Sequence, residues 1–230
     1  MYHAVAREAH DPNQLCVSPE RFAAQMTWLA RRGLRGVSVV SLLRAVQRGD
    51  AGGLVGITFD DGYRSVLHAA LPVLRRHGFG ATAFVLSDPP APENTWDEGT
   101  AWPLLAADEI RELAAEGVEI GSHGATHTRL TGLPHRRLAA EVADSRAALG
   151  EVAGGEVQGF AYPWGAMDAA ARAAVAAAGY TYACAVSTPY RGLSTLALPR
   201  AYVGDRDGGF ELALKRRLHK VNSIWKGRFA

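Results

Sequence analysis

The sequence predicts an α/β fold of parallel strands joined by helices, either as an open doubly wound sheet or closed as a barrel. Short β-branched runs alternate with amphipathic stretches along most of the chain, and polar clusters stand where the runs end. The length of 230 residues suits one α/β barrel, so a single unit over residues 1–230 is expected.

Ser18-Pro19 opens the first clear helix with a capping serine and proline at its first position. Phe22, Met26 and Leu29 form its apolar face, and Gly33 stops it. Strands are expected at Val37 to Val40, Val55 to Phe59 and Ala81 to Leu86, with helices at Ser41 to Arg48 and Arg64 to His77 between them. The order continues with a helix at Asp108 to Glu116, a strand at Val118 to Gly121, a helix at His135 to Leu149 and a strand at Gln158 to Tyr162. An alanine-rich helix at Ala169 to Ala178 and a strand at Tyr180 to Val186 complete it. The proline-rich stretch Ser87 to Pro103 has neither period and reads as a surface loop. Its Trp96 and Trp102 either pin the loop to the body, the commoner use of such rings, or form a wall for stacking a sugar.

Composition excludes several classes. Lys+Arg 25 against Asp+Glu 23 is too balanced for a nucleic-acid binder. Two cysteines, Cys16 and Cys184, rule out a disulfide-rich scaffold and match no metal spacing. No apolar run is long enough to span a membrane, and the start MYHAVAREAHD lacks the features of a signal peptide, so a cytoplasmic location is expected. Gly49, Gly52, Gly53 and Gly56 precede a strand, whereas a phosphate loop follows one.

The chemistry concentrates in three clusters at expected strand ends: Thr58 to Tyr63 (TFDDGY), Gly121 to His127 (GSHGATH) and Phe160 to Gly165 (FAYPWG). In parallel α/β folds these ends form the functional face, so the clusters converge although about 100 residues separate the first from the last. Asp60 and Asp61 share a site only if the strand is already turning, and Gly62 supplies a turn. Two carboxylates side by side repel unless a cation lies beside them. His123 and His127 are spaced as on one side of a helical turn, and with one carboxylate they make three ligands of a catalytic, open zinc site. Adjacent carboxylates are unsuited to glycosidase chemistry, which needs opposed ones at least about 5 Å apart.

These residues resemble the polysaccharide deacetylase family, the NodB-homology metal-dependent carbohydrate esterases. TFDDGY and SHGATH match its first two motifs, and FAYPWG resembles the third. Leu198-Pro199-Arg200 resembles a late segment of the branch whose third motif reads FAYPYG, and the likeness runs in order from Tyr2-His3 to about Val203. The resemblance implies a distorted (β/α) barrel of about seven parallel strands. It also implies a divalent metal, usually Zn2+, held by Asp61, His123 and His127, with Asp60 as general base. The oxyanion donor is then the backbone N–H of Trp164, and Tyr63, Tyr162, Pro163 and Trp164 bind an N-acylated amino sugar, glycan or sugar precursor. Acetate leaves and an amine remains.

Two departures from the family pattern matter. Many relatives orient the base with an arginine in the third motif, where this chain has Ala161; Arg200 is the candidate replacement. The family's Leu-x-His acid has no convincing match. Leu218-His219 lies in a basic, helix-like tail, so His3, at the first expected strand and able to project into the site, ranks above it, and Asp60 could itself return the proton. Other readings of the same motifs are a deformylase or other C–N hydrolase acting on a non-polymer substrate, and a catalytically silent glycan-binding protein.

The tail from Lys215 to Arg228 carries six basic residues and no acidic one, with Leu212, Leu214, Leu218, Val221 and Trp225 interleaved. It reads as a helix packing its leucines on the body, or as a surface for weak contact with an anionic membrane.

Overall fold

Alternation of apolar runs with amphipathic helices leaves parallel pairing as the economical arrangement, since each helix returns the chain to the same end of the sheet. The computed structural model describes residues 1–8, 10–186 and 194–224. It opens with a short parallel pair, β1 (Ala4–Val5), where a first strand is expected beside His3, with β2 (Cys16–Val17), which the sequence did not signal. Next come α1 (Pro19–Arg31), β3 (Arg35–Val37), α2 (Val39–Arg48) and β4 (Leu54–Gly56), with β3 and β4 paired in parallel. The main sheet then accumulates: β5 (Thr58–Phe59), α3 (Leu71–His77), β6 (Thr82–Val85), α4 (Ala107–Ala115) and β7 (Glu119–Ser122). It continues through α5 (His135–Ala139), α6 (Ser145–Ala153), β8 (Gly159–Ala161), α7 (Ala169–Ala177), β9 (Tyr182–Ala185) and β10 (Leu198–Pro199), and α8 (Gly209–Ile224) follows.

Six strands, in the order β10-β9-β8-β7-β6-β5, form one parallel sheet, against the expected seven. The first residues supply the missing stave. Tyr2 N–H donates to the Thr58 carbonyl at 2.8 Å and Asp60 N–H to the Tyr2 carbonyl at 3.0 Å, while on the other side Val203 N–H donates to the Met1 carbonyl at 2.9 Å. The result is a curled barrel of parallel strands within a ring of helices.

Period-2 alternation divides the core into two. Ala83, Val85, Phe160 and Ala183 face the helices, while Phe84, Ala161, Tyr182 and Cys184 form a small cluster with Val39 on the inner face. The inner face is narrow, so its aromatic rings lie against glycines. A Cβ on Gly121 would come 2.4 Å from the Phe84 ring, and one on Gly159 would come 2.1 Å from the Tyr182 ring. The Tyr182 hydroxyl is held by Glu119 at 2.7 Å, so its ring has nowhere to move. Gly159→Ala is expected to cost about 1–3 kcal/mol through overpacking, measurable as a lower urea midpoint at unchanged slope.

Two expected boundaries differ. Val39 and Val40, read as strand, begin α2 because Ser38 caps it, accepting from Ser41 N–H at 3.3 Å. The single run Val55 to Phe59 is two strands separated at Ile57, β4 pairing with β3 and β5 with β6. The helices after β5 and β7 each begin or continue through a π-helical turn, at Val66–Ala70 and Ala140–Asp144. Such turns are rare and often stand at functional sites. Cys16 and Cys184 are both free and buried.

Candidate active site

The strand geometry explains how two adjacent aspartates share a site. Thr58 and Asp60 lie on the inward side of β5 and its extension, and the chain turns at Asp61 itself (φ 71°) as well as at Gly62 (φ 75°). Aspartate tolerates the left-handed conformation better than most residues, so the turn starts one position earlier than the glycine alone implied. Asp60 and Asp61 are 3% and 4% exposed.

His123 and His127 are not on a helix, contrary to the spacing argument. His123 follows β7 directly, and the chain then loops back through Gly124 (φ 87°) and His127 (φ 62°). The loop brings both Nε2 atoms to 3.2 Å from the same Asp61 Oδ1. His123 Nδ1 lies 2.8 Å from the Ala161 carbonyl, an acceptor only, so that nitrogen carries the proton. Without an ion, His123 Nε2 needs a second proton to bond Asp61; as a ligand it gives that proton up, and a cation takes its place between the two acceptors. The two separations from Asp61 also match the edge of a tetrahedral zinc site, about 3.3 Å. The donor set therefore fits a divalent ion, and Asp61, His123 and His127 are grouped with all ligand atoms within 4.8 Å. Burial opposes ionisation of Asp61, but its bonds to His123 and His127 prevail and hold it well below the ordinary carboxylate range.

Asp60 faces a different partner. Arg200 Nη1 and Nη2 donate to its two oxygens at 2.5 and 2.6 Å, and Nη1 also reaches Thr58 Oγ1 at 3.1 Å. Arg200 is itself buried, its guanidinium 5.4 Å from the Phe84 ring centroid. Burial would raise the Asp60 pKa, yet the nearby Arg200 and His123 charges keep it below its ordinary value. Arg200 thus comes to the carboxylate from after the last strand. His3 enters on the barrel-closing segment: its Nδ1 is buried without a partner, and burial pushes its pKa down against the pull of Asp61 and Asp60. His219 lies on α8.

The binding residues suggested by the motifs separate. Tyr63, Tyr162 and Pro163 are buried and line no surface: Tyr63 packs edge-on against Trp102 at 5.4 Å, and the Tyr162 hydroxyl donates to the Leu196 carbonyl at 3.0 Å. They support the site from beneath, because the strand ends that carry them turn inward. Trp164 is 46% exposed, with φ 61°, and its indole N–H donates to the His127 carbonyl at 3.3 Å.

Two contacts escaped sequence reasoning. Trp96, from the long loop, stacks on His127 with centroids 4.3 Å apart and planes at 25°, while Trp164 covers it at 5.0 Å. Trp96 and Trp102 both pack in the small cluster of Tyr63, Leu86 and Leu104, so the loop's tryptophans anchor it, one of them on a candidate ligand. Glu141, buried on the π-helical turn, accepts from Ala125 N–H at 2.9 Å, Thr126 N–H at 3.0 Å and Thr126 Oγ at 2.6 Å. Gly124 approaches so near that a Cβ there would meet Glu141 Oε2 at 3.2 Å. An acidic residue in a helix of ordinary period carries no sequence signal for this.

The family profile described as polysaccharide deacetylase matches residues 47–183. YxkH of Bacillus subtilis (strain 168), named as a polysaccharide deacetylase, is 30% identical over 148 residues, which are 64% of this chain and 48% of that protein. The chain thus spans about half the length of this curated relative. The Streptococcus pyogenes deacetylase PplD, solved in complex with acetate, superposes with a TM-score of 0.78 at 21% identity, over 94% of this chain and 95% of that one. BC0361, a polysaccharide deacetylase from Bacillus cereus, gives 0.77 at 24% identity, over 94% and 67%. At these identities the superpositions establish a shared fold. The profile, however, spans more than half of the chain and includes Asp60, Asp61, His123, His127 and Trp164, so the chain belongs to the polysaccharide deacetylase family.

Proposed function

We propose that the protein is a metal-dependent hydrolase that removes an N-acetyl or similar acyl group from an amino sugar or glycan. The observation that carries this reading is the Asp60–Arg200 pair set beside Asp61, His123 and His127, one carboxylate held by arginine and the other by imidazoles. Asp61, His123 and His127 would hold the ion, most simply Zn2+. Such an ion lowers the pKa of water and polarises the acyl carbonyl.

The remaining steps belong to the chain. Asp60, ionised and oriented by two bonds from Arg200, takes the proton of the attacking water. The backbone N–H of Trp164, at a left-handed turn beside His127, is the donor to the developing oxyanion, a contact of a kind worth about 3–4 kcal/mol. Asp60 then returns its proton to the leaving nitrogen. Burial keeps His3 neutral, so its unpaired Nδ1 serves better as a hydrogen-bonding group toward the substrate than as a proton store. The exposed ring of Trp164 offers a sugar a face to stack on.

The test is metal content together with amine release from an N-acetylglucosamine oligomer and from the monosaccharide. Asp60→Asn is expected to retain the ion and lose about 100- to 10,000-fold in turnover. His123→Ala is expected to lose the ion, and chelation of the wild type to abolish release. Bound metal without release from either sugar would turn the reading toward another N-acyl substrate. Absence of metal after reconstitution would refute it.

A further inference from the structure

The chain's charge is unevenly distributed. Six of its 25 lysines and arginines, and none of its 23 aspartates and glutamates, fall within residues 212–230, so this end carries +6 and the remainder −4. Residues 212–224 of it form most of α8, a helix that packs on α1. The helix is fastened on one side: Leu212 is buried against the core, and Lys215 Nζ donates to the Tyr202 carbonyl at 2.8 Å and to Asp207 Oδ2 at 2.5 Å.

The opposite side is bare. Phe210, Leu214 and Leu218 are 77%, 46% and 53% exposed, three of the six large apolar side chains that stand exposed among the described residues. Their spacing of four places them on one stripe, at about 100° per residue and within an arc of about 80°. Arg217 borders it by register. An apolar stripe next to cations, on a helix already held to the body, is the arrangement of a helix lying in the headgroup region of a bilayer. No helix among the described residues is long and apolar enough to cross a membrane, so the contact would be superficial. A nucleic acid would use the cations but leave the three apolar side chains in water.

We propose that the outer face of α8 docks the protein on an anionic lipid surface, Phe210, Leu214 and Leu218 entering the acyl boundary and Arg217 at their border meeting the headgroups. The excess of negative charge on the rest of the molecule turns this face toward such a surface. The proposal is independent of the hydrolase reading, since no residue of the metal site takes part. Trp225 to Arg228, the end of the basic tail, lie outside the described residues.

The test is co-sedimentation of the full chain with vesicles of phosphatidylglycerol and phosphatidylcholine, against pure phosphatidylcholine. Wild type is expected to bind the mixed vesicles and to dissociate as salt rises. Arg217→Gln should weaken binding about fivefold, from one charge contributing near the surface. Leu214→Ser with Leu218→Ser should weaken it at least about tenfold by removing the buried apolar area. These residues are exposed, so unchanged circular dichroism and melting temperature would show that both variants fold. Equal binding to neutral vesicles, no binding at all, or undiminished binding by the leucine variant would overturn the proposal. So would a wild-type dimer that the leucine variant turns into a monomer, since a second copy would then cover the stripe.

Discussion

Arg200→Met is expected to destabilise the metal-free protein by about 3–5 kcal/mol at pH 7, and a further Asp60→Asn change to recover most of that loss. The substitution removes both donors to a carboxylate that is 3% exposed, leaving a buried charge unpaired. In the wild type the Asp60 pKa is depressed, so its pairing contributes stability above the unfolded carboxylate pKa, and that contribution fades as pH falls through the lower folded value. Without Arg200 the burial that opposes ionisation dominates and the folded pKa rises above the unfolded one. The penalty should then grow as pH rises through the unfolded pKa, reversing the sign of the wild-type dependence. Urea denaturation of the two variants between pH 4 and pH 8, a window set by the carboxylate range of about 4, gives the measurement. An Arg200→Met protein as stable as wild type at pH 7, or a double variant no better than the single one, would show that the arginine does not sustain the charge on Asp60. Turnover should fall with the single change, because a neutral Asp60 accepts no proton.

Glu141→Ala should weaken metal binding by about 10- to 100-fold while leaving every candidate ligand in the sequence. The carboxylate gathers two backbone N–H groups and one hydroxyl of the loop that carries His127, and that loop includes two positive-φ residues with no regular structure to hold them. Removing the acceptor leaves these donors unpaired, at about 1–3 kcal/mol for each buried one, and lets His127 drift from Asp61. Competition titration with a metallochromic chelator measures the affinity. If affinity is retained, the covering rings of Trp96 and Trp164 are enough to hold His127.

The main elements were legible because their signals are local. Ser18-Pro19 and Gly33 bound α1 in the sequence as they do in the fold, and the β-branched runs located five of the six strands of the main sheet, β5 to β9, whereas β10 (Leu198–Pro199) read only as a segment after the last strand. Strand β2 was invisible, as two residues carry no period, and the valines at 39 and 40 misled because a capping serine outweighs β-propensity. The family motifs held Asp60, Asp61, His123 and His127, which their chemistry already singled out.

What sequence could determine was which residues have the chemistry, because carboxylate and imidazole reveal themselves by type and spacing. Which of them meet was decided by the barrel. Arg200 reaches Asp60 across 140 positions only because the segment after β10 and the first residues of the chain close the same ring of strands. Tyr63 and Tyr162 carry motif positions suited to a substrate, yet the inward turn of their strand ends buries them, while Trp96 reaches His127 from a loop without any period. Contacts of this kind depend on the path of the backbone through space, which no local pattern of residue types encodes.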